Sequence, residues 1–134
     1  MSLINMDFVN SGRSLVVTPL WENPSKSSAF DGTNDISIAD SYENYKFIKV
    51  TYKGNTSDAN TAIKATYFAP EDLADTTTNA RLCICALESS AYYFRSVRGG
   101  ATTSAIKITA CYKVNADAGT QNSKVIPLYI EGLK

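Results

Sequence analysis

Lys46-Phe47-Ile48-Lys49-Val50-Thr51-Tyr52-Lys53 alternates with a period of two: Ile48, Val50 and Tyr52 fall on one side, Lys49, Thr51 and Lys53 on the other. This is the pattern of a β-strand with one core face and one wet face, and it sets the reading of the chain on either side. Toward the C-terminus, Gly54 to Asn60 is a polar loop and Ile63 to Ala69 a second strand. Pro70 to Asp75 suits one helical turn, with proline at the first position and acids at its start. Arg81–Leu87 and Ala91–Arg98 read as two strands joined by Glu88-Ser89-Ser90. Gly99-Gly100 supplies the positive φ angles of a tight hairpin before a strand over Ser104–Val114, in which Ile106, Ile108, Ala110, Tyr112 and Val114 share one face. After the polar loop Asn115–Ser123, Lys124–Ile130 is the last strand, and Pro127 marks it as an edge or a bulge.

Toward the N-terminus, Asp40 to Asn44 is a turn, and Ile36 and Ile38 alternate as a short strand. Asn23 to Asn34 is loop, interrupted by Phe30, whose ring is expected to plug into the core. Leu15-Val16-Val17-Thr18 reads as a strand stopped by Pro19, and residues 1–14 as a lead-in arm or linker. The sum is an all-β chain with a single domain over 15–134: an antiparallel β-sandwich, jelly-roll-like, of about seven or eight strands.

At 134 residues, with 44% hydrophobic and 19% charged residues, the chain is long enough for one core and too apolar for a disordered tail. Thirteen basic residues balance thirteen acidic ones, scattered singly apart from Arg95 and Arg98, so no concentrated positive face for nucleic acid is expected. The apolar runs fall far short of the ~20 residues a bilayer-spanning helix needs, and no charged-then-apolar leader opens the chain, so a soluble protein is expected, without membrane insertion. Cys83, Cys85 and Cys111 are read as three small buried hydrophobes in a reducing compartment. A zinc site would want histidine or paired Cys-x-x-Cys, and neither is present.

The histidine count of zero removes Ser-His-Asp and Cys-His nucleophile activation, and the expectation is a protein that is not an enzyme and needs no cofactor. Glu22, Asp31, Asp35, Asp40 and Glu43 could pair as glycosidase carboxylates only if a cleft held two of them about 5 to 10 Å apart. Asp31-Gly32-Thr33-Asn34-Asp35 offers hard oxygens but lacks the spacing of an EF-hand loop, and reads first as an Asx-rich turn. The segment that points to binding is Ala91-Tyr92-Tyr93-Phe94-Arg95-Ser96-Val97-Arg98. Tyr92, Phe94 and Ser96 lie on one face and Tyr93, Arg95 and Val97 on the other, so at least one aromatic should be poorly buried. An aromatic plane beside an arginine suits a sugar, and the same residue types dominate protein interfaces. Tyr92, Tyr93, Arg95 and Arg98, with the single tryptophan Trp21, are the candidate ligand-binding residues.

Two phrases bracket the chain: Leu20-Trp21-Glu22-Asn23-Pro24 with Ser28-Ala29-Phe30, and Ile126-Pro127-Leu128-Tyr129-Ile130-Glu131-Gly132-Leu133-Lys134. With Tyr45 to Tyr52 between them, they resemble the C-terminal-type β-rich domain of minor structural and receptor-binding tail proteins of phages and prophages of Gram-positive and gut bacteria. The resemblance spans Leu20 to Lys134. It implies a virion tail component made in the bacterial cytoplasm, homo-oligomeric with a trimer favoured, that meets other phage tail proteins and a host cell-surface glycan. It brings no catalytic residues. A cellular carbohydrate-binding module is the alternative that the same tyrosine-rich surface would serve.

Overall fold

The computed structural model describes residues 16–75 and 82–134. The expected arm over residues 1–14 lies outside them. Strands β1 (Val17–Glu22), β2 (Ile36–Ser37), β3 (Phe47–Asn55), β4 (Ile63–Phe68), β5 (Cys83–Glu88), β6 (Ala91–Gly99), β7 (Ala105–Ile108), β8 (Tyr112–Lys113) and β9 (Lys124–Leu133) form two antiparallel sheets. One has the order β1-β9-β3-β4. The other has the order β2-β7-β6-β5, with β8 also paired to β6. Strand β3 packs against β5, and β9 against β5 and β6, so the molecule is a β-sandwich, with nine strands among the described residues. One turn of 3₁₀ helix at Tyr42–Asn44 and the short helix α1 (Pro70–Ala74) fall in the connections, and α1 sends a fully buried Leu73 into the core.

The core is the alternation read from sequence. Ile48 and Val50 of β3 and Ile130 of β9 are fully buried between the sheets, facing Ile84 of β5 and Ile106 and Ile108 of β7. Phe30 packs against this cluster from its loop, as expected.

Three bulges account for most departures from the sequence reading. Strand β1 continues through Pro19, because β1 is an edge strand and the missing N–H falls beside a register shift between Pro19 and Trp21. Pro127 marks a bulge in β9 and not an edge: β9 is central, and its pairing with β3 slips between Thr51 and Tyr52. The predicted single strand over Ser104–Val114 is two strands. Val97 pairs with Ile108, yet Phe94 pairs with Tyr112, so one extra residue lies within Thr109–Cys111. A one-residue slip moves every following side chain to the other face. Cys111 is therefore buried, and Tyr112 and Val114, expected on one face with Ile106 and Ile108, are exposed while those two are buried.

Two further expectations are corrected. The second face of β3 is wet only at its start, where Phe47 is exposed and Lys49 half-buried: Thr51 and Lys53 are buried, and Lys53 Nζ donates to the Asp58 carbonyl (2.9 Å), Asn60 Oδ1 (2.9 Å) and the Thr56 carbonyl (3.3 Å), tying down the loop. Gly99-Gly100 does not supply positive φ; it supplies room, since a Cβ on Gly99 would sit 2.6 Å from the Tyr42 hydroxyl. The positive φ angles of the meander belong to Ser89 (49°) and Ser90 (67°), the two-residue turn between β5 and β6.

Candidate functional site

The bulge at Thr109–Cys111 builds a surface. On the outer face of the β5-β6-β8 sheet, Leu87 pairs with Tyr92, and Cys85, Phe94 and Tyr112 lie in one row across three strands. Val114 joins them through its N–H to the Tyr92 carbonyl (2.8 Å). Tyr92 is 58% exposed and Leu87 56%, and Tyr112, Val114, Cys83 and Cys85 are also exposed, with Phe94 half-buried against the Tyr112 ring at 6.2 Å. Side chains of this size are usually buried; here, among the described residues, nothing covers them. The sequence pointed to Tyr92. It missed Leu87, Tyr112 and Val114, and the only available signal was that an uninterrupted strand over Ser104–Val114 would have buried an unusual number of large residues.

Tyr93 and Arg95, expected beside Tyr92 as ligand groups, lie on the opposite face of β6, inside the sandwich. Arg95 is fully buried. Its Nε donates to the Val125 carbonyl (2.6 Å), Nη1 to Thr109 (2.9 Å), and Nη2 to Lys124 (3.0 Å) and Asn122 (3.1 Å), with the Phe30 ring 5.1 Å away. Burial pulls its pKa down to about 10, offset in part by Cys111 and Asp31. Its work is to satisfy four carbonyls at the bulge and at the entry to β9, so it is not a surface ligand group.

Trp21 and Arg98 remain at the surface, in two adjoining depressions. Trp21, edge-on to Phe30 at 6.4 Å, lines a cleft of about 430 Å³ with Asn23 and the loop Asp31–Asp35. Arg98 lines a second of about 460 Å³ with Gly99-Gly100, and Asp35 lines both. These volumes fall in the range of small-ligand sites. The loop is held from within: Asp31 Oδ1 accepts from the Thr33 N–H and hydroxyl (both 3.0 Å), which holds its carboxyl below the ordinary carboxylate range, and Asp35 Oδ2 accepts from the Ala101 N–H (2.8 Å). That is the Asx turn expected of the segment. Asp40 is likewise lowered, by the Tyr45 hydroxyl (2.9 Å), the Ser41 N–H and the Asn44 amide.

The cysteine reading is corrected for two of three residues. Cys83 and Cys85 are free and exposed on β5, because their positions face outward from an edge strand, while Cys111 is buried. Desolvation, and to a lesser degree Cys85, pushes the Cys83 thiol up from 9.0. Among the described residues no group of three Cys, Asp or Glu side chains is placed to hold a metal ion, and no helix is long and apolar enough to cross a membrane.

The candidate site thus has two parts: an apolar sheet face centred on Tyr92 and Phe94, and a polar pair of clefts joining Trp21 to Arg98 through Asp35. Neither a scan against protein-family models nor a search of curated proteins finds a match to this chain.

Proposed function

We propose that the chain is a non-enzymatic structural domain of a phage or prophage tail, contributing to tail assembly or to recognition of a host-surface glycan. The observation that carries this is the outer face of β5-β6-β8, which among the described residues presents Leu87, Tyr92, Tyr112 and Val114 to solvent on a rigid sheet. A rigid scaffold that displays aromatic and aliphatic side chains suits association with a partner better than it suits a reaction. The phrases that resemble those of phage tail domains suggest the setting, and the clefts at Trp21 and Arg98 supply an aromatic ring, amides and charges of the kind that orient a sugar. Those clefts also favour the second reading, a cellular carbohydrate-binding module.

Glycan arrays and pull-downs from purified tails test this with the full chain and three variants. Binding of a bacterial envelope glycan that falls at least about tenfold in Trp21→Ala or Arg98→Ala is the expected result for recognition, since removing a stacking or charge-assisted contact costs about 1.4 kcal/mol or more. Capture of a tail protein that is lost in Tyr92→Ala is the expected result for assembly. A chain that binds neither glycan nor tail component overturns the proposal.

A further inference from the structure

The geometry points to a linear oligosaccharide with one acidic group as the ligand of the Trp21 and Arg98 clefts, lying across three adjoining depressions with that group at Arg98. This rests on the reading of the domain as a glycan binder. It names the class of glycan and adds a third subsite.

The third depression, of about 380 Å³, is lined by Pro19, Trp21, Glu22, Tyr129 and Glu131, from β1 and its neighbour β9. Trp21 is thus a wall common to it and to the cleft of about 430 Å³, just as Asp35 is common to that cleft and to the depression of about 460 Å³ at Arg98. The register shift between Pro19 and Trp21 accounts for the first shared wall. Leu20 takes the buried position, and Trp21, next along an edge strand, stays half-buried where it borders both hollows. Each hollow alone is of a size that holds a small ligand. Hollows that share walls suit consecutive units of one chain, because a first bound unit holds the next at high effective concentration over the neighbouring subsite.

Charge gives the ligand its chemistry and its direction. Among the described residues, five charged side chains line the three depressions. Glu22 pairs with Lys26, whose ammonium lies 5.0 Å from the centre of the Tyr129 ring, and Glu131 faces Lys49 at 4.0 Å. Asp31 accepts from Thr33. Asp35 borders the same depression as Arg98, yet it bonds the Ala101 N–H and not the guanidinium. Arg98 alone of the five has neither an ion pair nor a hydrogen bond among the described residues. A guanidinium with its donors free matches a carboxylate or a phosphate, either of which it grips with two parallel bonds. At the far end Glu22 and Glu131 offer acceptors to hydroxyl groups and disfavour a second anion. The acidic unit therefore belongs at Arg98 and neutral, hydroxyl-rich units at Trp21 and Tyr129.

The experiment is an array of size-graded linear fragments of bacterial envelope saccharides, from single units to about six, each in an uncharged, a carboxylate-bearing and a phosphate-bearing form, probed with the full 134-residue chain. The expected result is binding of acidic fragments that tightens at least about tenfold from one unit to three and then levels off. The carboxylate and phosphate arms tell which anion the guanidinium takes. Arg98→Gln keeps hydrogen bonding and removes the charge, and should bring acidic fragments down to the affinity of their uncharged forms. Tyr129→Ala should erase the gain from the third unit, and so should Glu22→Gln, at a side chain 62% exposed where the change leaves the fold intact. Single units that bind as tightly as three, uncharged fragments that match acidic ones, or an Arg98→Gln chain that keeps the acidic preference each overturn the inference while leaving glycan recognition in place. A chain that binds no fragment in any form overturns glycan recognition and the inference with it.

Discussion

Arg95 shows how much one side chain can hold. Its guanidinium reaches four carbonyls from three separate stretches of chain, at Thr109, at Asn122 and at Lys124-Val125. Val125 is a β-branched residue at φ 51°, a strained backbone that persists only where its surroundings over-determine it, and the Arg95 Nε bond to its carbonyl is part of what does so. Lysine has one ammonium and no planar fork, so it cannot span the same set. We expect Arg95→Lys and Arg95→Met each to lose at least ~3 kcal/mol in urea unfolding, because each orphaned buried carbonyl costs about 1–3 kcal/mol. Tyr92→Ala, by contrast, should stay within ~0.5 kcal/mol of the parent, as surface changes do. Comparable losses for the two positions would mean that Arg95 is not the internal strut described. In sequence the two residues read alike, an aromatic and a cation three apart on one strand. Parity placed them on opposite faces, but which face was core depended on a second sheet that no local pattern specifies.

At the scale of elements, class and the succession of strands along the chain were legible, and register and the order of strands within the sheets, the β5-β6-β7 meander apart, were not. Ile48, Val50 and Tyr52 gave β3 its core face, the β5-β6-β7 meander followed from its turns, and Pro70 with its acids marked α1. Of the three bulges, only that in β9 was signalled, by Pro127 and as one of two alternatives; the others were hidden, because an inserted residue leaves no signature except a broken alternation, and Ala110-Cys111 is apolar enough to disguise the break. What holds the bulge at Thr109–Cys111 is long-range. Ser96 N–H bonds the Thr109 hydroxyl (3.0 Å), Cys111 N–H bonds Asn122 Oδ1 (2.9 Å), and the Asp31–Asp35 loop abuts it through Gly32. Gly32 has φ +70°, and a Cβ there would fall 2.3 Å from the Thr109 carbonyl carbon. Gly119 has nearly the same angle, φ +68°, but open space around it. Gly32→Ala and Gly119→Ala therefore separate backbone strain from collision. Gly119→Ala should cost about 1 kcal/mol, the left-handed penalty alone, and Gly32→Ala clearly more, about 3 kcal/mol or above. Equal costs would mean that the loop does not brace the bulge, and the exposure of Tyr112 and Val114 would then need another cause.

For the whole molecule, the same composition that argues against histidine-based chemistry fixes how stability responds to pH. With no histidine in 134 residues, no side chain has an unperturbed pKa between 5 and 8. Cys83 and Cys111 are pushed upward from 9.0 by burial, away from that range, with Arg95 opposing part of the effect on Cys111. Asp31 and Asp40 are shifted the other way, held below 3.8 by hydrogen bonds to their charged forms, Thr33 for the first and Tyr45, Ser41 and Asn44 for the second. A carboxylate lowered on folding adds stability that is fully present above its unfolded pKa and is lost as pH falls through its folded one. Denaturant midpoints should therefore be flat from about pH 8 to about pH 5 and fall below about pH 4. Asp40 fastens Tyr45, beside the paired ends of β3 and β9, and Asp31 fastens the loop that braces the bulge, so acid loosens both ends of the sandwich together. Asp40→Asn should flatten the acid limb, since the amide no longer titrates, at the expense of a lower plateau above it. A midpoint that instead falls between pH 5 and 8 would mean that a group outside this set, buried and strongly shifted, governs the fold.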